Sequence, residues 1–117
     1  MKYKLDLNPR PFEAIKNGTK KIEGRVPTPN VKVPFNKLRK GDTILFTNNE
    51  TNEKIEVLIL GVRHYPNVRE MLEKEGADNV LSGGGTIDEG IERYNKLRGY
   101  KENIPRYGIY AIEVKKI

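Results

Sequence analysis

Five side chains between positions 10 and 25 have the types and spacing for chemistry on an anionic ligand. The stretch Asn17-Gly18-Thr19-Lys20-Lys21-Ile22-Glu23-Gly24-Arg25 gathers three cations and one carboxylate around a single aliphatic residue, and Arg10 lies just upstream. In an extended chain Lys21, Glu23 and Arg25 project to one side, in the order plus, minus, plus; Lys20, Ile22 and Gly24 project to the other. Glu23 would then hold its two neighbours and leave one net positive charge, and the arginine fork can take a phosphate or a carboxylate. Gly24 leaves room for a ligand or another backbone to come close. The competing reading is a solvated ladder of surface ion pairs, worth roughly a few tenths of a kcal/mol.

Other candidates carry less chemistry. Gly83-Gly84-Gly85-Thr86 ahead of a helix can form a nest of N–H groups for an anion. It lacks the lysine of the G-x-x-x-x-G-K-[ST] phosphate loop, so a mobile lid or plain connector is the better reading. His64 is the only histidine, with no carboxylate beside it. That supports neither a zinc site nor a catalytic triad, and a hydrogen-bonding role at a strand end is expected. Without cysteine there is no disulfide, thiolate nucleophile or cysteine-ligated zinc, and no metal or cofactor is expected. Tyr94, Tyr100, Tyr107 and Tyr110 cluster late in the chain. A ring beside a basic cleft can stack on a base, but helical spacing and strand burial explain Tyr94 and Tyr110 equally well.

The elements that must position these residues follow from periodicity. Tyr3, Leu5 and Leu7 alternate with polar residues, as in a half-buried strand. Pro11 can start a short helix carrying Phe12 and Ile15, and Gly18 can end it. Residues 19–26 read as extended, and prolines 27, 29 and 34 as a loop. Residues 43–47 and 54–63 form a hairpin across the polar turn at Asn48–Asn52. Asn67 caps a helix over residues 68–75 that Gly76 closes. Thr86 and Glu89 make a capping box for a helix with Ile87, Ile91, Tyr94 and Leu97 on its apolar stripe, Gly99 as its stop, and Glu89–Arg93 and Glu92–Lys96 pairs on its surface. The last strand, residues 107–115, is apolar on both faces except at Glu113 and should be central.

At 117 residues the chain has room for one domain, 1–117. Hydrophobic residues make up 36% and charged residues 32%, yet the apolar ones are clustered, which excludes a disordered chain. No apolar run is long enough to span a membrane, and the polar N-terminus does not read as a signal peptide, so a cytoplasmic location is expected. Absent Cys and Trp, with abundant Lys and Glu, suit a thermophile's composition. Of the net charge of +6, residues 1–40 carry eleven basic side chains against three acids, +8, and residues 41–117 carry −2. Such asymmetry favours a polyanionic partner, nucleic acid first, over charge that merely keeps the protein soluble.

Taken together, Asn8-Pro9, Phe12-x-x-Ile15-x-x-Gly18, Lys20-x-x-Glu23-x-Arg25 and Gly41-Asp42-Thr43-Ile44-x-Phe46 resemble the ASCH domain, a family related to the RNA-binding PUA domains. The likeness spans nearly the whole chain, including Tyr107-Gly108-Ile109. It implies an α+β fold: a PUA-like small β-barrel of five to six mostly antiparallel strands flanked by two to four short helices. It also implies a basic cleft for RNA, a nucleotide or a modified nucleoside, with Arg10, Lys20, Lys21, Glu23 and Arg25 as the binding residues. Small bacterial members of that family hydrolyse the amide of N4-acetylcytidine with a motif lysine and a threonine three residues after it. Those positions fall on Lys20 and Glu23, so the hydroxyl nucleophile is missing and a carboxylate acting on water would be different chemistry. Lys20 and Glu23 can share one cleft only if residues 20–23 contain a bulge or irregular turn; in a regular strand Lys21 is Glu23's partner. Three classes stay open: an RNA- or nucleotide-binding domain, a metal-independent hydrolase with Lys20 and Glu23 as acid–base groups, and a protein-interaction module. A large exposed apolar face would favour the last.

Overall fold

The alternating N-terminal segment forms β1 (Lys2–Leu7) in a computed structural model that describes residues 1–117. Asn8 then stands just before α1 (Pro9–Asn17), which starts two residues earlier than Pro11 because Pro9 already supplies a helical φ at a position that needs no N–H. Gly18, at φ 86°, ends the helix in the left-handed region. A short strand, β2 (Ile22–Arg25), and a loop with a single 3-10 turn at Phe35–Lys37 lead to the hairpin of β3 (Thr43–Asn48) and β4 (Lys54–Tyr65). Next come α2 (Val68–Glu75), the one-turn α3 (Ala77–Val80), α4 (Ile87–Asn95), α5 (Tyr100–Tyr107) and β5 (Ile109–Lys116).

Five helices, rather than two to four, flank the sheet, because α3 and α5 escape the sequence pattern. Gly99 does not stop α4, which ends at Asn95; it stands at φ 79° as the N-cap of α5. Tyr107 closes α5 instead of opening the last strand. The Thr86 capping box forms, and Asn67 caps α2 by accepting from the Glu70 N–H at 2.9 Å. The Glu92–Lys96 pair forms at 3.7 Å, whereas Glu89 turns to its cap and Arg93 to the Gly84 carbonyl.

The five strands form one sheet in the order β1-β3-β4-β5-β2, with β1 parallel to β3 and every other pair antiparallel. A bulge between Ile59 and Gly61 bends β4, as bulges do where sheets curl. The curl brings the two edges together: Arg25 on β2 donates from Nη2 to the Asp6 carbonyl of β1 at 2.9 Å. The strand β5 is paired on both sides and packed on both faces. Ile112 and Val114 enter one core with Phe12, Phe35, Phe46 and Ile44; Ile109 and Ala111 enter a second with Met71, Leu72, Val26 and Tyr94. Glu113 meets Arg63 at 3.1 Å.

Candidate functional site

Where the two edge strands approach, a cleft of about 310 Å³ opens between the end of β1, the start of α1, β2, residues 80–82, and the inner ends of α4 and α5. Its deepest charged wall is the motif. The chain around Lys20 is not a regular strand: the Lys20 N–H donates to the Ala14 carbonyl at 3.0 Å and the Lys21 N–H to the Asn79 carbonyl at 2.9 Å. Only at Ile22 does regular pairing with β5 begin. This irregular turn swings Lys20 onto the same side as Glu23, and the two share the cleft.

The carboxylate of Glu23 divides its oxygens between two cations. Oε1 lies 3.5 Å from Lys20 Nζ and Oε2 accepts from Arg25 Nε at 2.7 Å, with side-chain exposures of 9% for Glu23, 4% for Lys20 and 12% for Arg25. Lys20 also donates to the Val80 carbonyl. A surface ladder would be exposed; this array is buried, so its geometry is held by the core around it. Removal from water lowers the Lys20 pKa from its ordinary value, against the pull of Glu23. Burial pushes the hydroxyls of Tyr94 and Tyr100 upward, so both stay neutral donors at neutral pH. Their rings stack at 6.2 Å with an 11° tilt on the cleft wall.

Arg10, Lys20, Glu23 and Arg25 thus line one cleft. Lys21 does not: it is exposed and lines a separate groove with Lys16, Lys115 and Lys116. Arg93, which sequence spacing pairs with Glu89, and Ser82, which reads as loop, complete the rim with Asn8 and Asn49. The signal for Arg93 was its place beside Tyr94 on a helix that follows the glycine loop. His64 donates from Nε2 to the Tyr107 carbonyl at 2.7 Å and lies against Tyr110, a strand-end role. No three His, Asp or Glu side chains come together as a metal site, and no helix is long and apolar enough to cross a membrane.

An α+β domain whose curled sheet of five mostly antiparallel strands opens a cleft between its edges has the ASCH/PUA-like architecture. The chain belongs to the ASCH domain family, whose model matches residues 5–117. It is similar to the solved hypothetical protein PH0355, at 38% identity and TM-score 0.84 with 100% of both chains covered. A second similar structure, protein PF0455 from Pyrococcus furiosus, shows 35% identity and TM-score 0.76, covering 100% of this chain and 98% of that one. The mutant ZmASCH protein from Zymomonas mobilis shares the fold at 14% identity and TM-score 0.59, covering 97% of this chain and 69% of that one. No curated protein matches the chain. Family membership supports a general RNA- or nucleotide-binding domain.

Proposed function

We propose that the cleft binds a nucleotide, free or within RNA, with Lys20, Glu23 and Arg25 as its recognition wall. The observation that carries this reading is the buried Lys20–Glu23–Arg25 array opening onto a cleft of nucleotide size beside the stacked Tyr94 and Tyr100. Buried donors held by a carboxylate discriminate among hydrogen-bonding edges, and the aromatic wall offers a face to a base. The large apolar side chains left exposed, Met1, Leu97, Tyr107 and Ile117, come from four separate segments, which gives less support to a protein-interaction module.

Glu23→Ala tests the wall. Loss of the carboxylate frees Lys20 and Arg25 from their fixed positions, so affinity for ribonucleotides and short RNAs should fall about tenfold or more, roughly 1.4 kcal/mol. Pure charge attraction requires the opposite sign, because the variant is more positive. Unchanged or tighter binding would return Glu23 to the rank of a structural ion pair.

One observation favours hydrolysis as a second reading: burial makes Lys20 easier to deprotonate, and Glu23 stands beside it. In that chemistry Glu23 takes a proton from water, the oxygen attacks the acyl carbon, and Lys20 delivers a proton to the departing amine. Turnover of an acylated nucleoside such as N4-acetylcytidine, abolished by Glu23→Gln, would establish it. Absence of turnover across a panel of acylated nucleosides leaves binding alone.

A further inference from the structure

Two cations at the cleft rim form no ion pair. Within the motif wall every charge is engaged: Glu23 faces both Lys20 and Arg25, and Arg25 spends Nη2 on the Asp6 carbonyl. Arg10 and Arg93 also line the cleft, yet neither guanidinium enters an ion pair. Arg93 uses Nη1 on the Gly84 carbonyl at 2.6 Å, which anchors the fork and leaves its remaining N–H groups available.

The glycine loop explains how both guanidiniums fit at this rim. A Cβ on Gly83 would sit 2.8 Å from Arg10 Nη1 and 3.3 Å from its Cζ. A Cβ on Gly85 would sit 2.8 Å from Arg93 Nη2 and 3.3 Å from Glu89 Oε1, a carboxylate near Arg93 but outside ion-pair distance of it. The loop is therefore a bare shoulder against which two arginines rest, at glycines two residues apart. An arginine fork with free N–H groups and no carboxylate within ion-pair distance is suited to phosphate oxygens.

We infer that Arg10 and Arg93 form a phosphate subsite, so that the cleft selects phosphorylated nucleosides over neutral ones. This rests on the nucleotide reading above and deepens it: the motif wall faces the nucleoside, and the rim takes its phosphate. The phosphate can belong to a free monophosphate or to an RNA chain.

Calorimetric titration of the full chain with cytidine, adenosine, their 5′-monophosphates and a dinucleotide without terminal phosphate tests the subsite. At least a tenfold preference for a phosphate-bearing ligand over its nucleoside is expected. That ratio should collapse by about tenfold in Arg10→Gln and in Arg93→Gln. Preference for the monophosphate marks a free nucleotide as the source; preference for the dinucleotide marks a polymer. Arg10→Gln removes no contact that holds the fold together, so it decides the matter even where Arg93→Gln unfolds. Equal affinity for nucleoside and nucleotide, or a preference that survives Arg10→Gln, overturns the subsite while leaving the nucleotide reading intact. No binding by any of these ligands or by short RNA overturns both.

Discussion

Gly24 shows how closely the site and the core are joined. Its two neighbours, Glu23 and Arg25, face the cleft, while a Cβ on Gly24 would lie 2.5 Å from the Tyr94 hydroxyl and 3.2 Å from Met71 Cε. Gly24→Ala should therefore cost about 1–3 kcal/mol by overpacking, read as a lower urea midpoint at unchanged slope. Tyr94→Phe in the same chain should recover part of that loss; purely additive effects would show that the two residues do not clash. Lys20 gives a pH signature. Its folded pKa is lowered, so between that value and the unfolded value of 10.5 the unfolded state binds more protons and stability rises with pH. Urea denaturation from pH 7 to pH 10 should show the native protein gaining on Lys20→Met across this window, and parallel curves would contradict burial of the ammonium. Residue types and spacing were enough to single out the stretch from Lys20 to Arg25 as a candidate site, with Glu23 and Arg25 on one side of it. They could not decide between Lys20 and Lys21, because that depends on hydrogen bonds to Ala14 and Asn79, the second of them 58 positions away.

The helix α4 brings two side chains to the cleft, Arg93 and Tyr94. Its capping box is complete, with the Thr86 N–H donating to Glu89 Oε1 at 2.9 Å and the Glu89 N–H to Thr86 Oγ1 at 3.2 Å. Thr86→Ala should cost about 1 kcal/mol and also weaken nucleotide binding by loosening Arg93. A variant destabilised by that amount but with undiminished affinity would detach the cap from the site. This helix was legible because its cap and stripe are local signals. The helix α5 was not: Pro105 lies inside it, depriving it of one backbone donor, and a single turn separates Pro105 from Gly108. Tertiary packing of Ile104 and Tyr100 into the second core outweighs that local penalty.

For the whole molecule, the charge asymmetry along the sequence overstates the basic surface. Folding brings acids from the later segments to the early cations: Lys2 meets Glu56 at 2.9 Å and Lys16 meets Glu53 at 2.5 Å, while Lys20 and Arg25 are engaged by Glu23. Counting charges by position cannot see the Lys2 and Lys16 pairs, since their acids come from the later part of the chain. Binding of short RNA should accordingly weaken with salt at a log–log slope of about −1.4 to −2.8, the release expected for roughly two to four phosphates. A slope near the roughly −5.6 that eight phosphates would give would restore the broad basic face.

The sheet order also has a consequence in time. The motif strand β2 pairs only with β5, so Ile22–Arg25 wait for Tyr110–Glu113, 85 to 91 positions away. During synthesis from the N-terminus, β1, β3 and β4 can dock first, while the residues that face the ligand have no ladder to join. The recognition wall is then among the last regions to take shape. Pulse-labelled amide exchange during refolding should protect Ile44 and Val57 before Glu23 and Arg25, whose N–H groups face β5, and simultaneous protection would mean that the cleft is born with the core.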